Sequence, residues 1–164
     1  MSFWKRRIVA PIAAQLTQGV TPEKIALTIS LGIVVGVFPI LGATTALCGV
    51  VGVAFKLNQP IIQLVNYLFT PVQLALLIPF YRAGEHLLRR EPIPLSVSLL
   101  FERFSAGFWK FLGDFGMVGV GGILVWIILA PLFIVAIYYS TRPPLRGLAA
   151  KLSSAPSPAI ASKS

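Results

Sequence analysis

The sequence predicts an all-α fold: a polytopic integral membrane protein with broken or re-entrant helical hairpins and an interfacial amphipathic helix. Of the 164 residues, 56% are hydrophobic and only 12% are charged, whereas a typical soluble domain carries about 25% charged residues. The apolar stretch of residues 25–81 exceeds the roughly 20 residues that one membrane-spanning helix needs. Prolines and a glycine interrupt this stretch, and interrupted apolar helices often form re-entrant hairpins or line a site inside the membrane.

The net charge of +9 favours a membrane rather than a nucleic acid as the partner. The basic residues stand at the ends of the apolar segments, as the cytoplasmic flanks of membrane helices do. They do not form the patches or motifs of nucleic-acid-binding proteins. Cys48 is the single cysteine, so an intrachain disulfide and a thiolate metal site are excluded. We therefore expect no nucleic-acid partner, no metal site and no cofactor.

The chain divides into three parts. Residues 1–19 form an N-terminal amphipathic segment, in which Ile8, Ile12 and Leu16 share a face suited to the membrane interface. Residues 20–140 form the membrane domain. Residues 141–164 are rich in proline, alanine and serine, and we expect them to be a disordered C-terminal tail.

The first apolar helix begins with clear signals. Thr21 is a typical N-cap residue, Pro22 suits the first helical position, and Glu23 lies near the positive end of the helix dipole. Gly32 and Gly36 form a G-x-x-x-G pair, which lets a second helix approach closely. The alternative is that these glycines only relieve crowding.

A break at Pro39–Gly42 is predicted to end this helix near Phe38, because proline removes a helix hydrogen bond and disfavours helix at the preceding residue. A second helix should start near Ala43 and end near residues 56–58. The helix of residues 25–38 measures about 21 Å, less than the roughly 30 Å hydrocarbon core. We therefore expect a reversal that returns the chain to its starting side; the competing interpretation is one kinked helix that crosses at a tilt.

Thr44 and Thr45 would place two hydroxyl groups at the start of the second helix. Free backbone N–H groups and the helix dipole favour an anion at such a position. The alternative is that both threonines only cap the helix.

The next helix, predicted from Pro60 with an interruption at Thr70–Pro71, carries a polar stripe. Its members are spaced by four, three, four and three residues and so share one helical face: Gln59, Gln63, Asn66, Thr70 and Gln73. Polar groups in a membrane helix avoid lipid and face other helices or a wet cavity. The stripe is therefore either a polar lining or a set of interhelical hydrogen bonds, which contribute about 0.6 kcal/mol per contact.

The second half of the chain contains a basic loop, an amphipathic helix and a full-length span. His86 beside Glu85 lacks the further ligands of a metal site. Residues 96–112 are predicted to lie in the interface plane, and residues 116–139 are predicted to cross the membrane.

If both broken regions are hairpins, the N-terminus and residues 82–90 lie together on the cytoplasmic side, as their basic residues favour.

The order of short motifs resembles a known bacterial membrane family, catalogued as domain of unknown function twenty sixty-two. The similar runs cover roughly residues 20–140 and include T-P-E-K-I-A at 21–26, F-P-I-L-G-A-T at 38–44 and K-L-N-Q-P at 56–60. Where the family often has Asn-Pro, this chain has Asn66 followed by Thr70-Pro71. Related domains occur fused to glycosyltransferases, so the resemblance implies the bacterial cytoplasmic membrane, a multi-pass topology and a role in envelope metabolism.

The sequence predicts a protein that is not an enzyme, because it lacks the motifs of catalytic triads, metal clusters and phosphate loops. The leading functional hypothesis is that it binds or moves a lipid or a lipid-linked anionic substrate. The alternative is a membrane scaffold or anchor for a glycosyltransferase-type envelope enzyme. The expected partners are membrane lipids, such an enzyme and further copies of the chain. The candidate ligand-binding residues are Pro39, Gly42, Thr44, Thr45, Gln63, Asn66, Thr70 and Gln73.

Overall fold

The computed structural model describes residues 10–17, 19–89, 91, 102 and 105–154. The regular structure within these residues is helical, in agreement with the predicted all-α class. The helices are α1 (Ala10–Thr17), α2 (Pro22–Gly36), α3 (Ala43–Ala54), α4 (Gln59–Leu87) and α5 (Phe108–Ser153). Among the described residues, two helices are long and apolar enough to cross a membrane: α4, and α5 over Gly116–Ser153.

Helix α2 begins as predicted. Thr21 has an extended backbone (φ −69°, ψ 148°), and its hydroxyl oxygen accepts the backbone N–H of Lys24 at 3.3 Å. The helix ends at Gly36, two residues earlier than predicted. It ends there because the N–H of Phe38 bonds the carbonyl of Val35, three residues back, instead of extending the α-helical pattern.

The chain reverses between α2 and α3, as predicted. Gly42 has φ +83°, a left-handed conformation that glycine adopts without steric cost, and α3 begins at the next residue. After α3, Asn58 Nδ2 donates to Gln15 Oε1 at 2.7 Å. The Gln15 carbonyl accepts the N–H of Val20, just before α2. The end of α3 therefore returns to the level at which α2 begins, and we call this pair the α2–α3 hairpin.

Helix α4 continues through Pro71 and Pro79 for 29 residues, so the predicted interruption at Thr70–Pro71 is wrong. Each proline removes one backbone hydrogen bond. The helix is retained because α4 packs against α2, α3 and α5, and such tertiary packing contributes most of the stability of a helix. The residues that follow α4 therefore lie at the opposite end of the bundle from Asn58. The expectation that residues 82–90 share a side with the N-terminus depended on a second hairpin, which α4 does not form.

Helix α5 is 46 residues long and continues to Ser153, so the disorder predicted from residue 141 is wrong for residues 141–153. Leu145 packs against Ile25 and Ala26, and this burial stabilises helix that composition alone did not predict. The predicted interfacial helix of residues 96–112 falls largely outside the described residues, and residues 108–112 belong to α5. The predicted N-terminal segment is described only from Ala10 onward, where α1 packs against α5.

The two glycines of the G-x-x-x-G pair allow α2 and α4 to lie side by side. A Cβ at Gly32 would be 3.0 Å from the Cβ of Val65, and a Cβ at Gly36 would be 3.3 Å from the Cα of Asn66. Contacts this short leave little room for any side chain larger than glycine. These pairings also show that α2 and α4 run parallel, and the interpretation as a close helix approach is confirmed.

Two hydrophobic clusters hold the bundle together. One joins the α2–α3 hairpin to α4 and contains the buried residues Leu31, Val35, Cys48, Leu57 and Ile62. The other joins α1, α2 and the end of α5, with Ile25, Ala26 and Leu145 buried. The α2 helix contributes to both clusters and is the centre of the fold. We call the end of the bundle that holds Glu23, Asn58 and Arg146 the basal end.

Candidate functional site

The break between α2 and α3 exposes three successive backbone carbonyls that α4 side chains bind. Gln73 Nε2 donates to the carbonyl oxygens of Phe38 at 2.9 Å and Ile40 at 3.3 Å. The Tyr81 hydroxyl donates to the carbonyl of Pro39 at 2.7 Å. A helix end leaves carbonyls without intrahelical donors, and unsatisfied carbonyls are costly in a membrane. The break is therefore held by donors from α4 together with one bond of its own backbone, from the N–H of Ile40 to the Phe38 carbonyl at 2.8 Å.

Helix α5 supplies a further donor to the end of α2. The indole Nε1 of Trp126 donates to the carbonyl of Val34 at 2.8 Å. That carbonyl lacks its usual helical donor because the Phe38 N–H bonds Val35 instead. The ring of Trp126 also meets Phe38 edge to face, with centroids 5.0 Å apart. Trp126 and Tyr81 were not among the predicted site residues. The signal in the sequence was an aromatic ring with one polar atom within an apolar helix.

The polar stripe of α4 mostly holds α3 against α4. Gln59 Nε2 donates to the carbonyl of Gly49 at 3.1 Å, and Gln63 Nε2 donates to the carbonyl of Thr45 at 3.0 Å. Gly52 lies directly against the Gln59 amide, where a Cβ would clash. These contacts favour the interpretation of Gln59 and Gln63 as members of interhelical hydrogen bonds. Gln73 likewise donates to backbone carbonyls of the hairpin.

Asn66 is the most deeply buried polar member of the stripe. Its side chain is 1% exposed, and Nδ2 reaches Thr45 Oγ1 at 3.4 Å and Gln63 Oε1 at 3.5 Å. Both distances are long for hydrogen bonds. Oδ1 has no hydrogen-bond partner among the described residues. It faces the α2 backbone at Gly36, so the amide is held more by packing than by hydrogen bonds.

Thr70 does not belong to this interior. Its side chain is exposed, and its hydroxyl donates to the carbonyl of Asn66 within its own helix at 3.3 Å. The structure therefore separates Thr70 from the other predicted site residues. The reason is that α3 begins at the level of Gln63 and Asn66, which both contact Thr45, so a residue one turn beyond Asn66 on α4 no longer faces α3.

The start of α3 combines polar side chains with a helix N-terminus that has no side-chain cap. Gly42 caps the helix without a side-chain hydrogen bond, so the first N–H groups lack a capping partner from that residue. Thr45 is exposed while Thr44 is buried, and Thr45 Oγ1 accepts from Asn66. Pro39 is buried behind the break and Gly42 is exposed at its tip. The predicted residues Thr45, Gln63 and Asn66 thus contact one another where α3 begins, and Gly42 directly precedes this helix.

Charged groups lie at the two ends of the bundle rather than at this point. At the basal end, Glu23 binds Arg146 at 2.7 Å and Arg142 at 3.4 Å. A hydrogen bond from its own backbone N–H and then the Arg146 guanidinium lower the pKa of Glu23 from its ordinary value of 4.5. At the other end, buried Glu85 pairs with Arg82 at 2.9 Å. No group of three metal-ligating side chains occurs in the part of the chain that the structure describes.

Comparison with known proteins gives one match, to a family of bacterial proteins. The family model covers residues 6–151, and the family is described as an uncharacterized protein conserved in bacteria. No curated protein and no solved structure matches the chain. The matched residues include α1, α2, the break, α3, α4 and nearly all of α5. The chain therefore belongs to DUF2062, the family that its motifs resemble.

Proposed function

We propose that this protein lies in the bacterial inner membrane, where it binds or moves a lipid or a lipid-linked anionic substrate in envelope metabolism. It does so without catalytic machinery. The observation that carries this proposal is the start of α3, a helix N-terminus without a side-chain cap that lies partway along two apolar helices. Such a position attracts the negative end of a polar head group through its N–H groups and dipole.

The surroundings of this point favour a ligand that arrives from the bilayer. Ile40 and Leu41 at the tip and Tyr67 on α4 are large hydrophobic residues, and all three are exposed. Gly42 and Thr45 are exposed between them. Because Asn66 donates to the Thr45 hydroxyl oxygen, the proton of that hydroxyl remains available to a ligand.

The topology that we propose has two membrane spans, α4 and α5, and one re-entrant hairpin, α2–α3. Among the described residues, the basal end carries more cations than the opposite end: Lys24, Lys56, Arg142, Arg146 and Lys151 at the basal end, against Arg82, Arg89 and Lys110 at the opposite end. The sequence adds the basic run of residues 5–7 just before α1. Positive-inside reasoning therefore assigns the basal end to the cytoplasm, and residues 82–90 to the periplasm.

Cysteine accessibility tests this topology. His86 and Lys151 are both exposed, one at each end of the bundle, whereas the native Cys48 is buried. In a Cys48→Ser background, a membrane-impermeant thiol reagent added to spheroplasts should label His86→Cys. It should label Lys151→Cys only after the membrane is permeabilised. Labelling of Lys151→Cys in intact spheroplasts would contradict the proposed topology.

Lipid binding is tested with a matched pair of threonine variants. Thr45→Val removes the hydroxyl at the start of α3, whereas Thr70→Val removes an exposed hydroxyl that bonds only its own helix. A hydrogen bond to a charged group contributes about 1.5–3 kcal/mol, so Thr45→Val should weaken retention of phosphatidylglycerol about tenfold or more. Native mass spectrometry of protein released from nanodiscs measures this. Equal retention by both variants and the wild type would contradict lipid binding at α3.

The scaffold hypothesis has a separate observation in its favour. Helix α3 packs mainly against α2 and α4, and its outer face leaves the hydrophobic residues Val50, Val53 and Phe55 exposed. This face fits a membrane-embedded partner such as an envelope enzyme or a second copy of the chain. Cross-linking from Val53→Cys in native membranes distinguishes the two hypotheses, because a scaffold forms one defined adduct and a lipid-binding protein forms none.

A further inference from the structure

Three uncharged stretches of the chain begin or end together at the basal end. No Asp, Glu, Lys or Arg occurs in these stretches, which are residues 25–55, 57–81 and 115–141. The residues that bound them at the basal end are all basic: Lys24, Lys56 and Arg142. The contact between Glu23 and Arg142 at 3.4 Å brings the start of α2 to the level of this part of α5. The three cations therefore lie where the uncharged part of the bundle ends.

Two tyrosines occupy the same level in a way that is typical of a membrane interface. Tyr138 and Tyr139 precede Arg142 by about one helical turn, and Tyr139 is 62% exposed. The Cζ of Arg142 lies 5.9 Å from the centroid of the Tyr138 ring. Tyrosine is enriched at the depth of lipid head groups, because its ring is apolar and its hydroxyl is polar. In the topology proposed above, the three cations thus lie at the depth of lipid phosphates.

The basal end has more positive charge than its carboxylate neutralises. Glu23 is the one acidic residue of the sequence at this end, since the other four lie in the last turn of α4, the segment after it and the first two turns of α5. The Glu23 Oε1 already binds two guanidinium groups, those of Arg146 at 2.7 Å and Arg142 at 3.4 Å. Lys24 and Lys56 are exposed. These cations therefore favour an anionic partner from outside the chain.

We propose that the basal end binds the phosphate groups of anionic phospholipids in the surrounding leaflet, through Lys24, Lys56 and Arg142. A lipid fits better than a soluble partner because the cations lie at the edge of the uncharged bundle, at the depth of the head groups. Phosphate oxygens supply both the negative charge and the acceptors that ammonium and guanidinium groups bind strongly. The inference rests on the proposed function only in that the protein lies in a membrane. Its lipids lie at the basal end rather than at the start of α3.

The turn at Lys56 allows one of these charges to be removed without straining the backbone. Lys56 has φ +51°, in the left-handed region that glycine adopts without steric cost. The N–H of Leu57 donates to the carbonyl of Gly52 at 2.7 Å, which closes α3 with a turn in which glycine is the usual residue. Arg89 follows α4 with nearly the same φ, +52°. Arg89→Gly is therefore a matched control at the opposite end of the bundle.

The experiment measures which lipids remain bound. Wild type, Lys56→Gly, the double variant Lys24→Gln with Lys56→Gly, and Arg89→Gly are reconstituted in nanodiscs that contain equal amounts of phosphatidylglycerol and phosphatidylcholine. Native mass spectrometry of the released protein gives the ratio of the two lipids retained. We expect wild type and Arg89→Gly to prefer phosphatidylglycerol, Lys56→Gly to lose part of this preference and the double variant to lose about tenfold or more.

A further arm separates a lipid from other anions. An excess of inorganic phosphate, compared with chloride at the same ionic strength, should leave the preference of the wild type unchanged. Its loss would assign the surface to a soluble anion and overturn the inference. A wild type that retains the two lipids equally also overturns it, and favours a soluble acidic protein at the basal end. Equal preference for phosphatidylglycerol in the wild type and the double variant overturns it as well.

Folding and the proposed function are checked separately. The thermal unfolding midpoint of the double variant in phosphatidylcholine alone should equal that of the wild type, because glutamine retains helix propensity and glycine fits the turn. If the midpoint falls, Lys56→Gly alone decides by the same comparison with Arg89→Gly. If the double variant keeps the wild-type preference while Thr45→Val reduces retention, the proposed function stands and this inference does not. The reverse result supports the basal end and contradicts lipid binding at α3.

Discussion

The hydroxyl of Tyr81 donates to the carbonyl oxygen of Pro39 at 2.7 Å across 42 positions of the chain. This contact joins the upper part of α4 to the point at which the α2–α3 hairpin turns. Together with the two bonds from Gln73, it supplies side-chain donors to three successive carbonyls. These three bonds therefore hold the turn of the α2–α3 hairpin against α4.

Tyr81→Phe should destabilise the protein by about 1–3 kcal/mol, because it removes the donor of the Pro39 carbonyl and changes little else. Tyr67→Phe is the matched control, since Tyr67 lies on the same helix and is 61% exposed. We expect that control to change the free energy of unfolding by less than about 0.5 kcal/mol. Unfolding of both variants by sodium dodecyl sulfate in mixed micelles measures the difference. Similar losses in the two variants would show that the Tyr81 bond contributes nothing specific.

Gly84→Ala should loosen the crossing of α4 and α5. A Cβ at Gly84 would lie 2.7 Å from the Cα of Gly121. Because that atom belongs to the backbone of α5, α4 and α5 must move apart to admit the Cβ. Overpacking of this kind costs about 1–3 kcal/mol. Gly119 also lies on α5, and a Cβ added there would meet no atom within 4 Å. Gly119→Ala should therefore be neutral or slightly stabilising. A thermal unfolding midpoint of Gly84→Ala at or above that of Gly119→Ala would contradict the close crossing.

The ion pair of Glu23 with Arg142 and Arg146 should make stability depend on acid pH. The pKa of Glu23 is lowered in the folded state from its ordinary value of 4.5. A depressed carboxyl pKa adds stability that is complete above the unfolded pKa and is lost as the pH falls through the folded pKa. Wild type should therefore lose stability as the pH falls below about 4.5, and Glu23→Gln should lose less over the same range.

Exposed Glu91 supplies the control for this pH dependence. Glu91→Gln should retain the full acid-dependent loss seen in the wild type. Detergent-solubilised protein titrated between pH 6 and 3, with the unfolding midpoint as the readout, tests the expectation. If the unfolding midpoint of Glu23→Gln falls with pH as much as that of the wild type, the ion pair does not stabilise the contact between α2 and α5.

Asn66→Leu should separate stability from ligand binding. The Asn66 amide is buried with two long hydrogen bonds and an unpartnered Oδ1, so replacing it by an apolar side chain should change stability by less than about 1 kcal/mol. Loss of the amide also releases the Thr45 hydroxyl that it orients, so retention of phosphatidylglycerol should fall. Leu74→Ile, at an exposed position of the same helix, should alter neither property. A large loss of stability would instead identify Asn66 as an interhelical contact alone.

Local chemistry was sufficient to predict the helix boundaries around the break. Thr21, Pro22, Pro39 and Gly42 act through their own backbone preferences, which do not depend on distant residues. The start of α2 and the start of α3 were therefore predicted correctly. The spacing of the α4 stripe also predicted that Gln63 and Asn66 share a face directed at other helices or a cavity, because helical periodicity places residues three and four apart on one face.

The same reasoning failed where packing overrides a local preference. Pro71 was predicted to interrupt α4, and residues 141–153 were predicted to be disordered. Both segments are helical, since neighbouring helices stabilise them by more than the lost backbone hydrogen bonds cost. The amino-acid composition of a segment does not indicate which helices will pack against it.

The sequence by itself determined the all-helical class and the break at Pro39–Gly42, because each follows from backbone geometry within a few residues. It left two alternatives for the break, a reversal or a kinked helix, and two for Gly32 and Gly36, a close helix approach or relief of crowding. Only the tertiary structure decided between these alternatives, and it alone shows which donors bind the carbonyls of the break and which stripe residue is exposed. Tyr81 and Trp126 reach their carbonyls across 42 and 92 positions. Contacts of that separation depend on how whole helices pack, and no local pattern in the chain specifies them.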